Sequence, residues 1–353
     1  MNRKIRVAVI GTGQIATKAR IPAYLSNKYV DLVALVDVDV KKAKRAARKF
    51  GTSRFFGSVD ELFEKQDVDA VSICTPPNTH VDLTLKALNY GAHVLCEKPM
   101  ANDVRNGEEL FEVSRAKGKI LMVSSYRRFV PNFRIARKLI LKGKLGHVYC
   151  IEDIQLSPSP LLTWGKSPWY YQPDSGGVLL DFGPHCFDLL NYLFGDFPNA
   201  VSALSSTYLD SPVEEACVCI LEYPESRMGV GTMSWLSSVV IENTSIHGTV
   251  ETIFASPKFF LEVNRIDVPE ISLWREVTLH LFGSKFPDLP MLRKRKDVDP
   301  LLLETNDFIE QIKQNRISSQ NALNALNVLL TIDAAKTALR ENRRIEISPI
   351  KQL

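Results

Sequence analysis

Lys98, Asp181 and His185 are the side chains of this chain best suited to moving a proton. Glu97-Lys98-Pro99 follows the apolar run His93 to Cys96. A charged pair ending an apolar strand is unusual unless it faces a crevice. Burial and a nearby cofactor lower a lysine's pKa enough for proton exchange. The plain alternative is a solvated strand end whose two charges pair locally. Asp181 and His185 stand at i and i+4, which one helical face brings together, and Asp188 falls near that face. Pro184 is tolerated there if it lies in the first turn. A carboxylate beside an imidazole fixes its tautomer and raises its basicity. His185 alone reads as structural; with Asp181 and the approach Ser175-Gly176-Gly177 it reads as catalytic.

A second constellation suits a dinucleotide. Gly11-Thr12-Gly13-Gln14-Ile15-Ala16 is a GxGxxA turn between a strand pattern and a helix pattern. The first glycine permits the tight turn, and the second lets backbone approach a pyrophosphate. The alanine allows close packing, and the helix N-terminus attracts phosphate. Asp37 ends the next strand pattern, where a carboxylate accepts ribose hydroxyls and repels a 2′-phosphate, so NAD is expected over NADP. Asp39 is an alternative as the N-cap of the following helix. Thr75, Pro76, Asn78 and His80 follow the third long strand and are expected on the cofactor side with Glu97 and Lys98. Asn78 or Thr79 could equally cap the next helix. No metal is expected.

These residues need elements to position them. The first third alternates strands and helices: strands over 5–10, 32–36, 70–74, 93–96 and 120–123, helices to about 26 and over 40–50, 79–90 and 107–116. Strands apolar on both faces between helices predict a doubly wound parallel sheet. The character changes near Tyr126. A helix over 131–141 precedes strand patterns at 148–154, 200–208, 216–223, 228–235, 244–247 and 249–254, interrupted by a helix over 179–194. Short connections favour antiparallel pairing. Helices over 301–315 and 322–340 close the chain, and 268–300 has no clear pattern. The expected fold class is α/β: a Rossmann domain over 1–125, then an α/β domain over 126–353 with a large, mostly antiparallel sheet. The final helix is free to pack back on the first domain.

The chain has 353 residues, 45% hydrophobic and 24% charged, with a net charge of +4. That length favours two domains. The charge is too weak to argue for nucleic acid, and the basic run 293–296 reads first as a solvated loop. Six cysteines without a CxxC pair suggest a reducing compartment, and the cytoplasm is the expected location. No membrane span or signal peptide is expected. Cys217 to Leu221 is apolar on both faces, so one face needs cover from a second subunit; a homo-oligomer, dimer or tetramer, is expected. Tyr126, Arg127, Arg128, Trp164 and Asp188 are candidate substrate contacts, with Trp169, Tyr170 and Tyr171 nearby, because aromatic rings and arginines suit sugar faces and hydroxyls.

On these motifs the chain resembles the glucose–fructose oxidoreductase / inositol dehydrogenase / rhizopine catabolism (Gfo/Idh/MocA) family. Gly11 to Ala16, Thr75 to His80, Glu97-Lys98-Pro99, Arg128-Phe129, Asp181 through His185 to Asp188, and Asp333-Ala334-Ala335 keep its order. The resemblance implies a Rossmann domain, a sheet-bearing second domain, Lys98, Asp181 and His185 as active-site group, and a polyhydroxy substrate: a sugar, inositol or nucleotide sugar. The glycine run before Asp181 is one residue short of the common form, and Pro184 is a departure. The expected reaction is reversible oxidation of a secondary alcohol. His185 is the expected base, Lys98 shares the reacting oxygen, and Asp181 orients the two; the His185 and Lys98 roles are exchangeable. The rivals are an imine or unsaturated-ring reductase, an NAD-assisted glycosidase and a non-catalytic NAD/sugar sensor.

Overall fold

A computed structural model of the chain describes residues 3–160, 168–172, 176–208, 211–257, 260–264 and 299–350. Trp164, the 268–298 segment and the basic run 293–296 lie outside them. The first sheet has six strands, β1 Ile5–Ile10, β2 Val30–Val36, β3 Phe55–Phe56, β4 Ala70–Ile73, β5 His93–Cys96 and β6 Leu121–Val123, in the order β3-β2-β1-β4-β5-β6. Every pairing in it is parallel. β4 is buried throughout, so its apolar run meets helices on both faces. The helices are α1 Ile21–Ser26, α2 Val40–Phe50, α3 Val59–Lys65, α4 His80–Tyr90 and α5 Val104–Ala116.

β3 and α3 are additions to the sequence reading, since two residues are too short for a periodic signal. α5 starts three residues early because Asp103 caps it, its carboxylate accepting from Asn106 N–H at 2.9 Å. The order of strands reverses between β1 and β4. A Cβ on Gly11 would lie 2.8 Å from the Cys74 carbonyl oxygen, and its φ is +87°. Only glycine fits where these two strand ends meet, and a doubly wound sheet opens its ligand crevice at such a reversal.

α6 Pro131–Leu141 leads into the second sheet. Its eight strands are β7 Val148–Leu156, β8 Ala200–Ser206, β9 Ala216–Tyr223, β10 Arg227–Ser234, β11 Ile241–Gly248, β12 Glu251–Ala255, β13 Phe260–Asn264 and β14 Ile345–Glu346, ordered β13-β12-β11-β7-β10-β9-β8-β14. All pairings are antiparallel except β7 with β10. α7 Val178–Phe194 covers one face, joining a buried cluster with Ile151, Cys217, Cys219, Leu221 and Ile246. Gly231 permits that contact: a Cβ there would come within 2.6 Å of Cys186 Sγ.

The chain then returns to the first sheet. α8 Pro300–Lys313 places Phe308 and Ile309 in the cluster around β1 and β2. α9 Gln320–Glu341 gives Leu323, Leu326 and Leu329 to the first sheet's core and Val328, Ile332 and Ala335 to the second's. A helix buried between two cores loses the one-sided apolar stripe of a surface helix. Asn321 Oδ1 also accepts from Val123 N–H at 2.6 Å, ending β6. Among the described residues no helix is long and apolar enough to cross a membrane.

Candidate active site

The crevice edge begins at Gly11. Thr12 donates twice to Asp37, from N–H at 2.9 Å and from Oγ1 at 2.6 Å. Asp37 therefore ties the glycine turn to the end of β2. Asp39, not Asp37, caps α2, accepting from Lys41 and Lys42 N–H. Gly13 is exposed, and a Cβ built on it would meet nothing within 4 Å. The protein does not fill that space, which suits a diphosphate at the start of the following helix. Gln14 is exposed and holds Lys18 Nζ at 2.7 Å, and Ile15 is half-buried. The helix is π-helical over Ala16–Arg20 before α1. Pro22, without an N–H, interrupts the ordinary ladder there.

The wide turn swings Arg20 into the interior, where its side chain is fully buried. Nε donates to Glu97 Oε1 at 2.8 Å and Nη1 to Thr305 Oγ1 at 3.1 Å. Nη2 donates to Glu304 Oε2 and Ser124 Oγ, both at 2.7 Å. Glu304 also accepts from Ser125 N–H and Ser124 Oγ. One guanidinium thus joins the glycine turn, the ends of β5 and β6, and α8. Burial, then the Glu97 charge, pushes the Glu304 carboxyl up against the opposing pull of Arg20. Neither Arg20 nor Glu304 carries a sequence signal: the partners lie 77 and 284 residues apart.

Glu97 and Lys98, adjacent on the chain, point apart. Lys98 Nζ donates to the Asp181 carbonyl at 2.8 Å and to Asp181 Oδ1 at 2.6 Å. The local ion pair considered above does not form; Glu97 goes to Arg20. Lys98 and Asp181 are largely buried, so their bond joins the end of the first sheet to the second domain's helix at the crevice. Gly177, at φ +97°, admits the chain to α7, and a Cβ on it would strike Glu214. Glu214 then caps α7, accepting from Val178 N–H on its carbonyl at 3.0 Å and from Leu179 N–H on its carboxylate at 3.0 Å. This cap was not legible, because the residue lies on a later loop.

α7 runs unbroken through Asp181 and His185, which share a face as expected. Pro184 lies in its second turn, not its first, and removes the N–H that would reach Leu180. Asp181 does not act on His185 as expected: its carboxylate holds Lys98. Burial, followed by the charges of Lys98 and Arg127, holds the His185 imidazolium well below the usual histidine range. His185 is therefore neutral at pH 7 and not made more basic. Neither ring nitrogen has a hydrogen-bond partner among the described residues. The Tyr126 ring meets it edge-on at 5.1 Å.

Arg127 lies beneath this pair, 2% exposed, with both Nη atoms on Asp153 at 2.6 and 2.8 Å. Thr244 Oγ1 and Gln155 Nε2 also donate to Asp153. The expected substrate contact at Arg127 is thus a buried support instead. Arg128 and Asp188 hold each other through two bonds of 2.7 Å, so Asp188 is not open either. Trp169 stacks on Tyr170 at 3.9 Å, and Tyr170 and Tyr171 pack on the buried Trp235 beside Asp181. On the cofactor side Thr75 is half-buried, and Pro76 and Asn78 are exposed. His80 is not: both ring nitrogens meet carbonyls, Pro99 O at 2.7 Å and Thr75 O at 2.9 Å. It clasps the two crevice turns together from inside.

The sequence matches two family descriptions. Residues 5–125 match "Oxidoreductase family, NAD-binding Rossmann fold", and residues 133–254 match the GFO/IDH/MocA C-terminal domain. D-glucoside 3-dehydrogenase of Escherichia coli (strain K12) is 30% identical, covering 97% of each chain. Myo-inositol 2-dehydrogenase of Thermotoga maritima is 26% identical over 98% of this chain and 99% of its own. The WlbA dehydrogenase of Bordetella pertussis, solved with NADH and UDP-GlcNAcA, superimposes with a TM-score of 0.83 at 21% identity, covering 99% of both chains.

Proposed function

The chain belongs to the Gfo/Idh/MocA oxidoreductase family, with an NAD-binding Rossmann domain, and from that premise we propose that it oxidises a secondary alcohol of a sugar-like polyhydroxy compound reversibly. One observation carries the reading: Lys98 bound to Asp181 across the crevice, with His185, unbonded among the described residues and held toward its neutral form, one helical turn further on.

NAD would be held at Gly11 to Ile15 and Asp37, flanked by Thr75, Pro76 and Asn78, and would supply the hydride acceptor. A carboxylate at Asp37, at the end of β2, would accept ribose hydroxyls and repel a 2′-phosphate, which favours NAD over NADP. His185 takes the hydroxyl proton on a ring nitrogen, which its neutral state leaves free. Lys98 donates to the same oxygen and offsets its developing negative charge. Asp181 aims Lys98 by holding two of its protons. Arg127, anchored on Asp153 of β7, reaches the His185 carbonyl and supports the helix there, and Tyr126 walls the imidazole. The half-buried Trp169 ring, stacked on the buried Tyr170, offers the sugar a flat face.

Self-association belongs to the same reading. β9 alternates, with Cys217, Cys219 and Leu221 inward and Val218 and Ile220 outward. The outward row continues through Leu204, 72% exposed, and Met228, 43% exposed. A second copy covers it.

The test is a screen for NAD reduction over inositols, aldoses and nucleotide sugars, followed by Lys98→Met and His185→Ala on the substrate found. Each lowers kcat by about 10²–10⁴-fold, the range of proton-transfer catalysis, with NADH affinity little changed. Near-normal turnover in both variants refutes the assignment.

A further inference from the structure

Around Tyr126 and His185 the cations are already neutralised. Lys98 is bound to Asp181 at 2.6 Å, and Arg127 to Asp153 at 2.6 Å. The next arginine, Arg128, is bound to Asp188 at 2.7 Å. Among the described residues one charge is left over. Glu242 is the second residue of β11 and pairs directly with Gln155 of β7. Opposed residues of an antiparallel pair share a face. Gln155 bonds Asp153, and so does Thr244, two residues beyond Glu242. Glu242 therefore stands on the inner face of the second sheet, one pair beyond Asp153 toward the strand end. It is half-buried. Among the described residues it has no hydrogen bond and no ion pair. After burial, its charge does most to hold the Tyr126 phenol protonated, ahead of Asp153 and Asp181 and against the opposing pull of Arg127.

A half-buried carboxylate without a partner is costly to keep, and a bound donor relieves the cost. We propose that Glu242 is a specificity-determining residue, accepting hydroxyl protons of an uncharged polyhydroxy substrate and excluding its carboxylate-bearing counterpart. The proposal rests on the dehydrogenase reading for the location of the substrate. Its chemical content is separate: the inner face offers a ligand a net negative charge and no unpaired cation among the described residues. A uronate would lose water and meet Glu242 with nothing to offset it.

The experiment measures binding of matched sugars to the NADH-loaded protein by saturation-transfer NMR. The pairs are D-glucose with D-glucuronate, D-galactose with D-galacturonate, and methyl β-D-glucoside with methyl β-D-glucuronoside. The expected result is that a neutral member binds and its acid binds at least about tenfold more weakly, a lower bound because an unscreened charge contact near a protein surface is worth more than that. Glu242→Gln brings the two within about threefold by tightening the acid, and Glu242→Asp restores the gap. NADH affinity and far-UV circular dichroism verify that both variants are folded. An acid bound as tightly as its neutral partner by the unaltered protein overturns the proposal. So does an unchanged ratio in Glu242→Gln, or no binding by any member of the pairs. A neutral sugar that binds with the expected preference but is never oxidised sinks the dehydrogenase reading and leaves the charge selection standing.

Discussion

Removing Arg20 should damage the protein more than removing Glu304, although each is a partner in one buried contact. Arg20 faces two carboxylates, Glu97 with 14% of its side chain exposed and Glu304 with none. In Arg20→Met both carboxylates stay in place without a cation. Stranding a buried charge costs about 3–5 kcal/mol. Glu304→Gln instead leaves one cation against one anion. Its cost comes from hydrogen bonding: Glu304 accepts from Ser125 N–H on one oxygen and from Arg20 and Ser124 on the other. A glutamine offers one acceptor, so one buried donor is left unmet, at about 1–3 kcal/mol. In Arg20→Met/Glu304→Gln only one carboxylate lacks a cation, so the double variant should be less destabilised than the two losses added. The assay is urea unfolding followed by far-UV circular dichroism at pH 7 and pH 5. The pH dependence has a definite sign. Burial and Glu97 already raise the Glu304 pKa, and losing Arg20 raises it further. A carboxyl with a raised native pKa favours folding below its unfolded value and loses that contribution as pH rises through the native one. The deficit of Arg20→Met should therefore narrow at pH 5. A Glu304→Gln loss as large as that of Arg20→Met, or simple additivity, refutes the charge argument.

Asp37→Ser should weaken NADH binding by about tenfold or more, because it removes both the ribose acceptor and the tie to Thr12, and should narrow the preference over NADPH in fluorescence titration; an unchanged NADH/NADPH ratio rules out Asp37 as the discriminator. Val218→Glu with Ile220→Lys should yield a smaller particle by light scattering without loss of secondary structure, and a monomeric parent protein ends the self-association reading. Acid should destabilise the fold early: burial lowers the pKa of His80, brings His93 to about 4 together with the Lys119 charge, and holds His185 well down with help from Lys98 and Arg127. Their contribution is present above the unfolded histidine value and lost as pH falls below it, so stability should drop from pH 7 toward 5, and replacing His93 with Gln should flatten that drop.

Local chemistry determined the first sheet, its glycine turn and the shared helical face of Asp181 and His185. A glycine that must turn left-handed, apolar strands buried on both faces, and a helix that carries Asp181 and His185 on one side are properties of short segments, so order and spacing disclose them. The long helix of the second domain was legible for the same reason; β9 read as apolar on both faces, and the fold decided that Val218 and Ile220 face outward. Which partner each charge takes was not. Lys98 could have paired with its neighbour Glu97, and only the meeting of two domains assigns Lys98 to Asp181 and Glu97 to Arg20. Asp181 was expected to raise the basicity of His185; the fold gives it to Lys98 and buries His185 among cations, which lowers it. His80, Arg127 and Asp188 had the composition of ligand contacts, yet carbonyls and counter-charges distant in sequence occupy them. Periodicity reports which face of an element is buried. Electrostatics depends on distances between elements, and those exist only once the chain has folded.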